Sequence, residues 1–378
     1  MKVDTQEFAK EYTLLECIQC GRCTGGCPVS LKTSLNIRSI IYECLIEDSV
    51  DPSRLDVLWD CTNCLTCTIR CPKDIHPSDV IIGLRGFIVG EGRGLPPRVR
   101  DALKSAFTRG NTLGYATEGR DGWVEGLDFE VPNVLDAGET DLLFYIGCTP
   151  AYDPRIQPIT RALATVFRRA GIDFATMGVD EQCCGNEIRR MGEADGFQGL
   201  VEGFHEMRQE FKAKRMLAVS PHCFNAFKNE YGEMPFPVYH YTQMVTELLE
   251  QGRLKLSGEV RAKVTYHDPC FLGKHNNIYD EPRYILQHIP GVEFQDLDRS
   301  RERSVCCEGG GGRMWAEGTN IKDRLAHQRV RDAVSMGAEV LAVACPFCLL
   351  TLEDAVKTLG LDNQLRVMDI MELVEKAM

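Results

Sequence analysis

The sequence predicts a multidomain chain of α+β and α/β type. A helical N-terminal domain is organised on two cysteine runs, and two copies of an α/β unit with a small parallel sheet follow it. Three observations carry this. CIQCGRCTGGCP (17–28) and CTNCLTCTIRCP (61–72) each place four cysteines in eleven positions and follow the last with proline. Cysteines beyond residue 140 recur at a nearly constant offset. Between them, short apolar runs alternate with helical stretches, the pattern of strand–helix units around a parallel sheet.

At 378 residues the length suits about two to three domains. A net charge of −12 argues against a nucleic-acid footprint, which needs a basic patch. The longest apolar run, near Val340–Leu352, falls short of the ~20 residues that a bilayer span requires. MKVDTQEFAKEYTLL at the start shows no basic segment followed by an apolar one, so no export signal is read. The expectation is a cytoplasmic chain, with peripheral membrane association left open. In a reducing compartment, eighteen cysteines serve as metal ligands or redox groups rather than as disulfides.

The first domain is assigned to residues 1–95. SLNIRSIIYECLIEDSV (34–50) reads as a helix, and its lone Cys44 as a packed small hydrophobe. GEGRGLPPR (90–98) is a turn or linker. Residues 96–139 form a linker with one helix, RVRDALKSAF, and a glycine-rich loop around 110–126.

Residues 140–257 and 258–378 read as two copies of one unit. DLLFYIGC (141–148) parallels AKVTYHDPC (262–270), EQCCGN parallels SVCCEGGGG, and RMLAVSPHCF parallels EVLAVACPFC. The matching cysteines are offset by 122, 123 and 125 positions, the signature of a repeat. PITRALATVFRRAG and NIKDRLAHQRVRDAVSMG (320–337) have helical periodicity and end at glycine. In each copy the cysteines follow strands, and open α/β sheets gather ligands at the carboxyl ends of strands.

Both N-terminal runs fit C-x2-C-x2-C-x3-C-P, the iron–sulfur run whose fourth cysteine ligates the other cluster. Three thiolates on one tight loop wrap three corners of an Fe4S4 cube, and the fourth residue points away. One [4Fe-4S] set is therefore Cys17, Cys20, Cys23 and Cys71; the other is Cys61, Cys64, Cys67 and Cys27. Structural zinc also uses CxxC pairs, but it takes two pairs and not a three-plus-one set occurring twice.

The second copy holds Cys270, the vicinal Cys306–Cys307, and Cys345-x-x-Cys348. Five thiolates are one more than a cubane needs, which suits a larger or distorted cluster. The first copy holds Cys148, Cys183, Cys184 and Cys223, with Ser220 where the second has Cys345. Four thiolates suffice for a further ordinary cluster; a site decayed to scaffold is the alternative.

These motifs resemble the heterodisulfide reductase iron–sulfur subunits, as a fusion of the ferredoxin-like small subunit with the duplicated cysteine-rich (CCG) subunit. The chain is also similar to the iron–sulfur oxidoreductases linked to electron-transfer flavoprotein and to benzoyl-CoA reductase. The resemblance implies a noncubane [4Fe-4S] cluster on Cys270, Cys306, Cys307, Cys345 and Cys348, where a disulfide of the CoM-S-S-CoB type is cleaved. It also implies a hetero-oligomeric complex. Glu308 stands where the family has glycine after the vicinal pair, and an inward carboxylate there would lower the cluster potential.

His222 and His267, beside Cys223 and Cys270, read as hydrogen-bonding residues that orient their loops, with proton donation as the alternative. Asp268 belongs with them. The Arg-rich LDRSRERS (297–304) reads as a solvated loop, with steering of an anionic substrate or docking of an acidic partner as the alternative. Met314 and Trp315 read as core, with the wall of a pocket as the alternative. No G-x-G-x-x-G follows a strand, so no flavin or NAD site is expected. Electrons must come from a partner: an FAD-containing reductase subunit, another flavoprotein such as electron-transfer flavoprotein, a ferredoxin, or a quinone. The remaining choice is between a disulfide-cleaving subunit and a pure relay.

Overall fold

The computed structural model describes residues 3–52, 55–320 and 322–378. In the N-terminal part, strands β1 (Val3–Asp4) and β2 (Ser49–Val50) pair antiparallel. The helix Ile37–Ile46 is capped by Asn36, whose Oδ1 accepts from the Ser39 N–H at 3.0 Å. Its Ile37, Ile40, Ile41 and Cys44 share the buried face, so Cys44 is a core residue as its spacing predicts. The helix Pro77–Glu91 begins on proline, which has no N–H to waste in the first turn, and ends at Gly92 with φ +66°. A short turn then leads to the helix Pro97–Arg109.

Two four-stranded parallel sheets follow. In the first, β3 (Glu139–Tyr145), β4 (Phe174–Ala175), β5 (Lys212–Ala218) and β6 (Val238–His240) lie in the order β4-β3-β5-β6. In the second, β7 (Ala262–Tyr266), β8 (Val292–Phe294), β9 (Val340–Val343) and β10 (Arg366–Asp369) lie in the order β8-β7-β9-β10. The spatial order is the same, and so is the register: Tyr145 faces Ala218 in one, Tyr266 faces Ala342 in the other. The duplication seen in the cysteine offsets is thus a duplication of topology. The central strands are buried, as parallel strands covered by helices must be.

The helix expected over 320–337 spans only Leu325–Ser335, and residue 321 lies outside the described residues. The later start has a local cause. The Glu308 carboxylate accepts from the Leu325 N–H at 2.8 Å, capping the helix from outside its own sequence.

Arg85, in the helix Pro77–Glu91, joins all three parts and is fully buried. Its guanidinium donates to the carbonyls of Leu58 and Cys61, to Arg190 in the first unit and to Gly311 in the second. Tyr241 of the first unit donates to Asp369 of the second at 2.8 Å.

Candidate functional site: four cysteine sets

The two N-terminal runs lie against one another, with Cys71 of the second run beside the first three cysteines of the first. One small cavity is lined by Cys17, Cys20, Cys23 and Cys71 together with Ile18 and Arg38. Here Cys20 is exposed, and the other three are partly so. Gln19 and Gly21 adopt left-handed φ values of +53° and +75° to wrap the loop. The set Cys61, Cys64, Cys67 and Cys27 is buried. Burial and the neighbouring thiols hold the Cys67 thiol well above its ordinary pKa, and burial first among the causes pushes Cys61 up to about 12. Thiols packed this densely in a dry pocket oppose one another's ionisation, which a bound cationic iron group would reverse.

The cysteine-rich units place their thiols at the carboxyl ends of their strands. In the first, Cys184 and Cys223 sulfurs are 3.3 Å apart and the free thiol of Cys148 interacts with Cys183. Arg120, from the segment 117–124, reaches to 3.8 Å from Cys148 Sγ and pairs with the buried Glu181 at 2.7 Å. In the second, all five cysteines come together. Cys307 and Cys348 sulfurs are 3.2 Å apart, and the free thiols of Cys306 and Cys345 interact with Cys307 and Cys348 respectively. Cys270 interacts electrostatically with Cys306 and Cys307. The backbone amides treat the two vicinal pairs alike: Gly185 N–H points to Cys183 at 3.5 Å, and Glu308 N–H to Cys306 at 3.3 Å.

The residues present fit an iron–sulfur group at the second unit on a further ground. Tyr145 of the first unit donates its hydroxyl to Gln182, whereas the equivalent Tyr266 hydroxyl is buried beside Cys348 with no partner. A buried polar atom with no partner marks a place where a missing group belongs.

The second buried N-terminal set abuts this site. Cys64 interacts with Cys306, and that interaction, with burial, raises its thiol pKa. Thr62 Oγ1 lies 3.3 Å from Cys306 Sγ, and Lys274 donates to Thr66 Oγ1 at 2.8 Å.

His222 belongs to the first unit but serves the second. Its Nδ1 lies 2.7 Å from Glu187, and the ring is hydrogen-bonded to Cys345. Burial opposes the imidazolium, but those two bonds outweigh it and raise the pKa to about 10. Cys345 shows the reverse balance: burial raises it, while bonds from Cys348 and His222 pull it down to about 5. Glu187 also accepts from the Gly312 N–H at 2.6 Å, which ties the first unit to the glycine run of the second. His267 behaves as a loop-orienting group: burial and Arg329 hold it neutral, and its Nδ1 accepts from Arg329 Nε at 3.2 Å. Its ring still lies within 4.8 Å of the Cys307 and Cys348 sulfurs. Asp268 is bound by Arg283 at 2.8 Å.

Glu308 turns away from the sulfurs. Its carboxylate binds Arg324 Nε at 3.2 Å and the Leu325 N–H, so its charge is compensated rather than turned on the cluster site. Arg299 and Arg301 pair with Asp332 and Asp280 at the surface. Trp315 is buried as expected, yet with Met314, Phe347, Thr149 and Arg98 it also lines a cavity of about 380 Å3. Phe347 stands between that cavity and His222, with ring centroids 4.8 Å apart. Arg120, Glu187, Thr62 and Phe347 carried no sequence signal of this role, because each acts across a boundary between units.

Known proteins agree with this layout. The 4Fe-4S dicluster domain family matches residues 13–75, and the Cysteine-rich domain family (CCG) matches residues 142–228 and 264–353. A subunit of the dihydromethanophenazine:CoB–CoM heterodisulfide reductase of Methanosarcina barkeri is 30% identical, over 96% of this chain and 93% of that one. The EtfAB:quinone oxidoreductase of Syntrophomonas wolfei is 31% identical, over 96% of this chain and 58% of that one. The probable iron-sulfur-binding oxidoreductase FadF of Bacillus subtilis is 34% identical, over 85% and 46% respectively. The chain thus spans about half the length of these last two relatives. A crystal structure of a hypothetical protein from Helicobacter pylori shares the fold, with TM-score 0.55 at 9% identity over 99% of this chain and 72% of that one. Dicluster domain, paired cysteine-rich domains and near-full-length similarity together show that the chain belongs to the heterodisulfide reductase-like iron–sulfur proteins.

Proposed function

We propose that the chain is an electron-transferring oxidoreductase subunit of a hetero-oligomeric complex, with a disulfide-cleaving site on its second cysteine-rich unit. The observation that carries this is the 3.3 Å contact between Cys306 Sγ and Thr62 Oγ1, the residue after Cys61, which sets the loop of a ferredoxin-type set against the five-cysteine set. Cys17, Cys20, Cys23 and Cys71 would hold one [4Fe-4S] cluster; Cys61, Cys64, Cys67 and Cys27 would hold a second. Cys270, Cys306, Cys307, Cys345 and Cys348 would hold a noncubane one, and Cys148, Cys183, Cys184 and Cys223 an ordinary cluster. When bound, such groups supply one-electron chemistry. The protein supplies the rest. His222, fixed by Glu187, donates a hydrogen bond at Cys345, where negative sulfur charge must be held. Phe347 and Trp315 wall the cavity from which a substrate would approach.

Spectroscopy on the anaerobically purified chain tests this. A paramagnetic signal formed on one-electron oxidation and altered by coenzyme M supports substrate sulfur at the second unit. Thiol-indifferent signals of reduced cubanes alone would overturn disulfide cleavage. They would favour the second reading, a relay between a flavoprotein, ferredoxin or quinone partner and another reductase. The similarity to EtfAB:quinone oxidoreductase favours that reading.

A further inference from the structure

The set Cys17, Cys20, Cys23 and Cys71 reaches the surface, and exposed apolar side chains lie beside it. Ile18 and Leu15 are 62% and 72% exposed, and Ile69, two residues before Cys71, is 45% exposed. Glu16 pairs with Lys73 at 3.2 Å, which brings the Leu15 loop against the turn after Cys71. Around this apolar patch stand four exposed cations. Arg22, Arg38 and Lys73 line the cysteine cavity, and Arg70 lies over Gly26, where an added Cβ would meet its side chain at 2.6 Å. Among the described residues Arg22, Arg38 and Arg70 form no ion pair. The chain as a whole carries −12, so this rim is a local reversal of sign.

An apolar centre with a charged rim suits a brief, steered encounter, because charge sets the on-rate and orientation while a small dry contact allows release. We propose that this face docks a small acidic one-electron carrier protein, with Ile18 and Ile69 at its centre and Arg22, Arg38 and Arg70 on its rim. The inference rests on reading the four cysteines as a cluster site. A lipid surface fits less well, since interfacial binding uses the long apolar face of an amphipathic helix, and here the apolar residues sit on loops around a redox site.

The test uses the iron-loaded full chain and an oxidised acidic flavodoxin as probe, with binding followed by biolayer interferometry. Affinity is expected to fall steeply with added salt. Arg70→Glu, outside the residues lining the cysteine cavity, should weaken binding about tenfold, and the milder Arg70→Gln by less, with iron content and visible absorbance unchanged. Ile18→Ser should weaken binding without changing the salt slope. Salt-independent affinity, or full binding by the charge variants, would overturn the inference. So would tighter binding of the cationic cytochrome c, or binding to phosphatidylglycerol vesicles in place of flavodoxin. A wild-type chain that holds no iron would instead sink the cluster reading itself.

Discussion

Arg85 Nη1 lies 2.9 Å from the carbonyl oxygen of Gly311, a residue of the glycine run 226 positions away. The same guanidinium takes the carbonyl of Cys61 at 2.7 Å and stacks on Trp59. One side chain therefore fixes the loop of the second N-terminal cysteine set against the loop behind Cys306 and Cys307. Burial lowers its pKa to about 10, still above physiological pH, so it remains charged.

Replacing Arg85 by methionine keeps volume but leaves several buried carbonyls without donors. Destabilisation of about 3–5 kcal/mol is expected, the scale for breaking a buried charged network. Arg85→Lys should recover only part, because one ammonium cannot reach partners spread over three segments. Urea unfolding midpoints measure both; a methionine variant as stable as the wild type would remove this residue from its assigned role.

Glu308 has φ +70°, a left-handed conformation that the equivalent Gly185 adopts at +73°. Non-glycine residues pay roughly 1 kcal/mol there, and the carboxylate offsets it by capping Leu325, an interaction of about 1 kcal/mol. Glu308→Gly should therefore be nearly neutral in stability, while Glu308→Ala, which keeps the strain and loses the cap, should cost about 1–2 kcal/mol. Because the carboxylate is compensated by Arg324, neither variant should raise the potential of the second site as removal of an inward charge would. An alanine variant more stable than the glycine one would contradict this account.

His240 caps the helix Tyr241–Glu250 and is fully buried, and burial lowers its pKa to about 3. The unfolded chain protonates this histidine near 6.5. Between these values the unfolded state binds more protons, so stability falls as pH drops, by up to about 1.4 kcal/mol per unit from this group. His240→Asn retains a capping side chain and should flatten the dependence. Unfolding curves taken on the two proteins across mildly acidic pH decide it: parallel slopes would mean that His240 does not titrate as described.

His222→Phe keeps the stack on Phe271, whose ring centroid is 4.2 Å away, but removes the donor to Cys345. The potential of the second site should move downward by roughly 65–130 mV, the one-electron equivalent of a charge-assisted hydrogen bond of about 1.5–3 kcal/mol. Signals from the sets on residues 17–71 should stay in place. A potentiometric titration that finds all centres unmoved would confine His222 to packing.

Cys71→Ala should lower bound iron by roughly four atoms per chain, the content of one cubane, and spare the vicinal-pair site. Iron analysis with Mössbauer spectra distinguishes this from a collapse of the whole domain, in which all iron would be lost.

Much of this layout is written locally in the sequence. The spacing C-x2-C-x2-C-x3-C-P fixes which thiols one loop can present, and a repeat offset near 123 fixes that two units share a topology. Strand alternation and cysteine position then place the thiols at one sheet edge, because βαβ units put loop residues there. Tertiary structure decided what no local pattern encodes. It set Cys64 against Cys306, sent His222 of one unit to Cys345 of the other, and turned Glu308 outward to Arg324. Those contacts join residues separated by 16 to more than 240 positions, and they depend on how three packed bodies meet. Periodicity reports the face a residue takes within its own element; only packing determines which foreign side chain meets it.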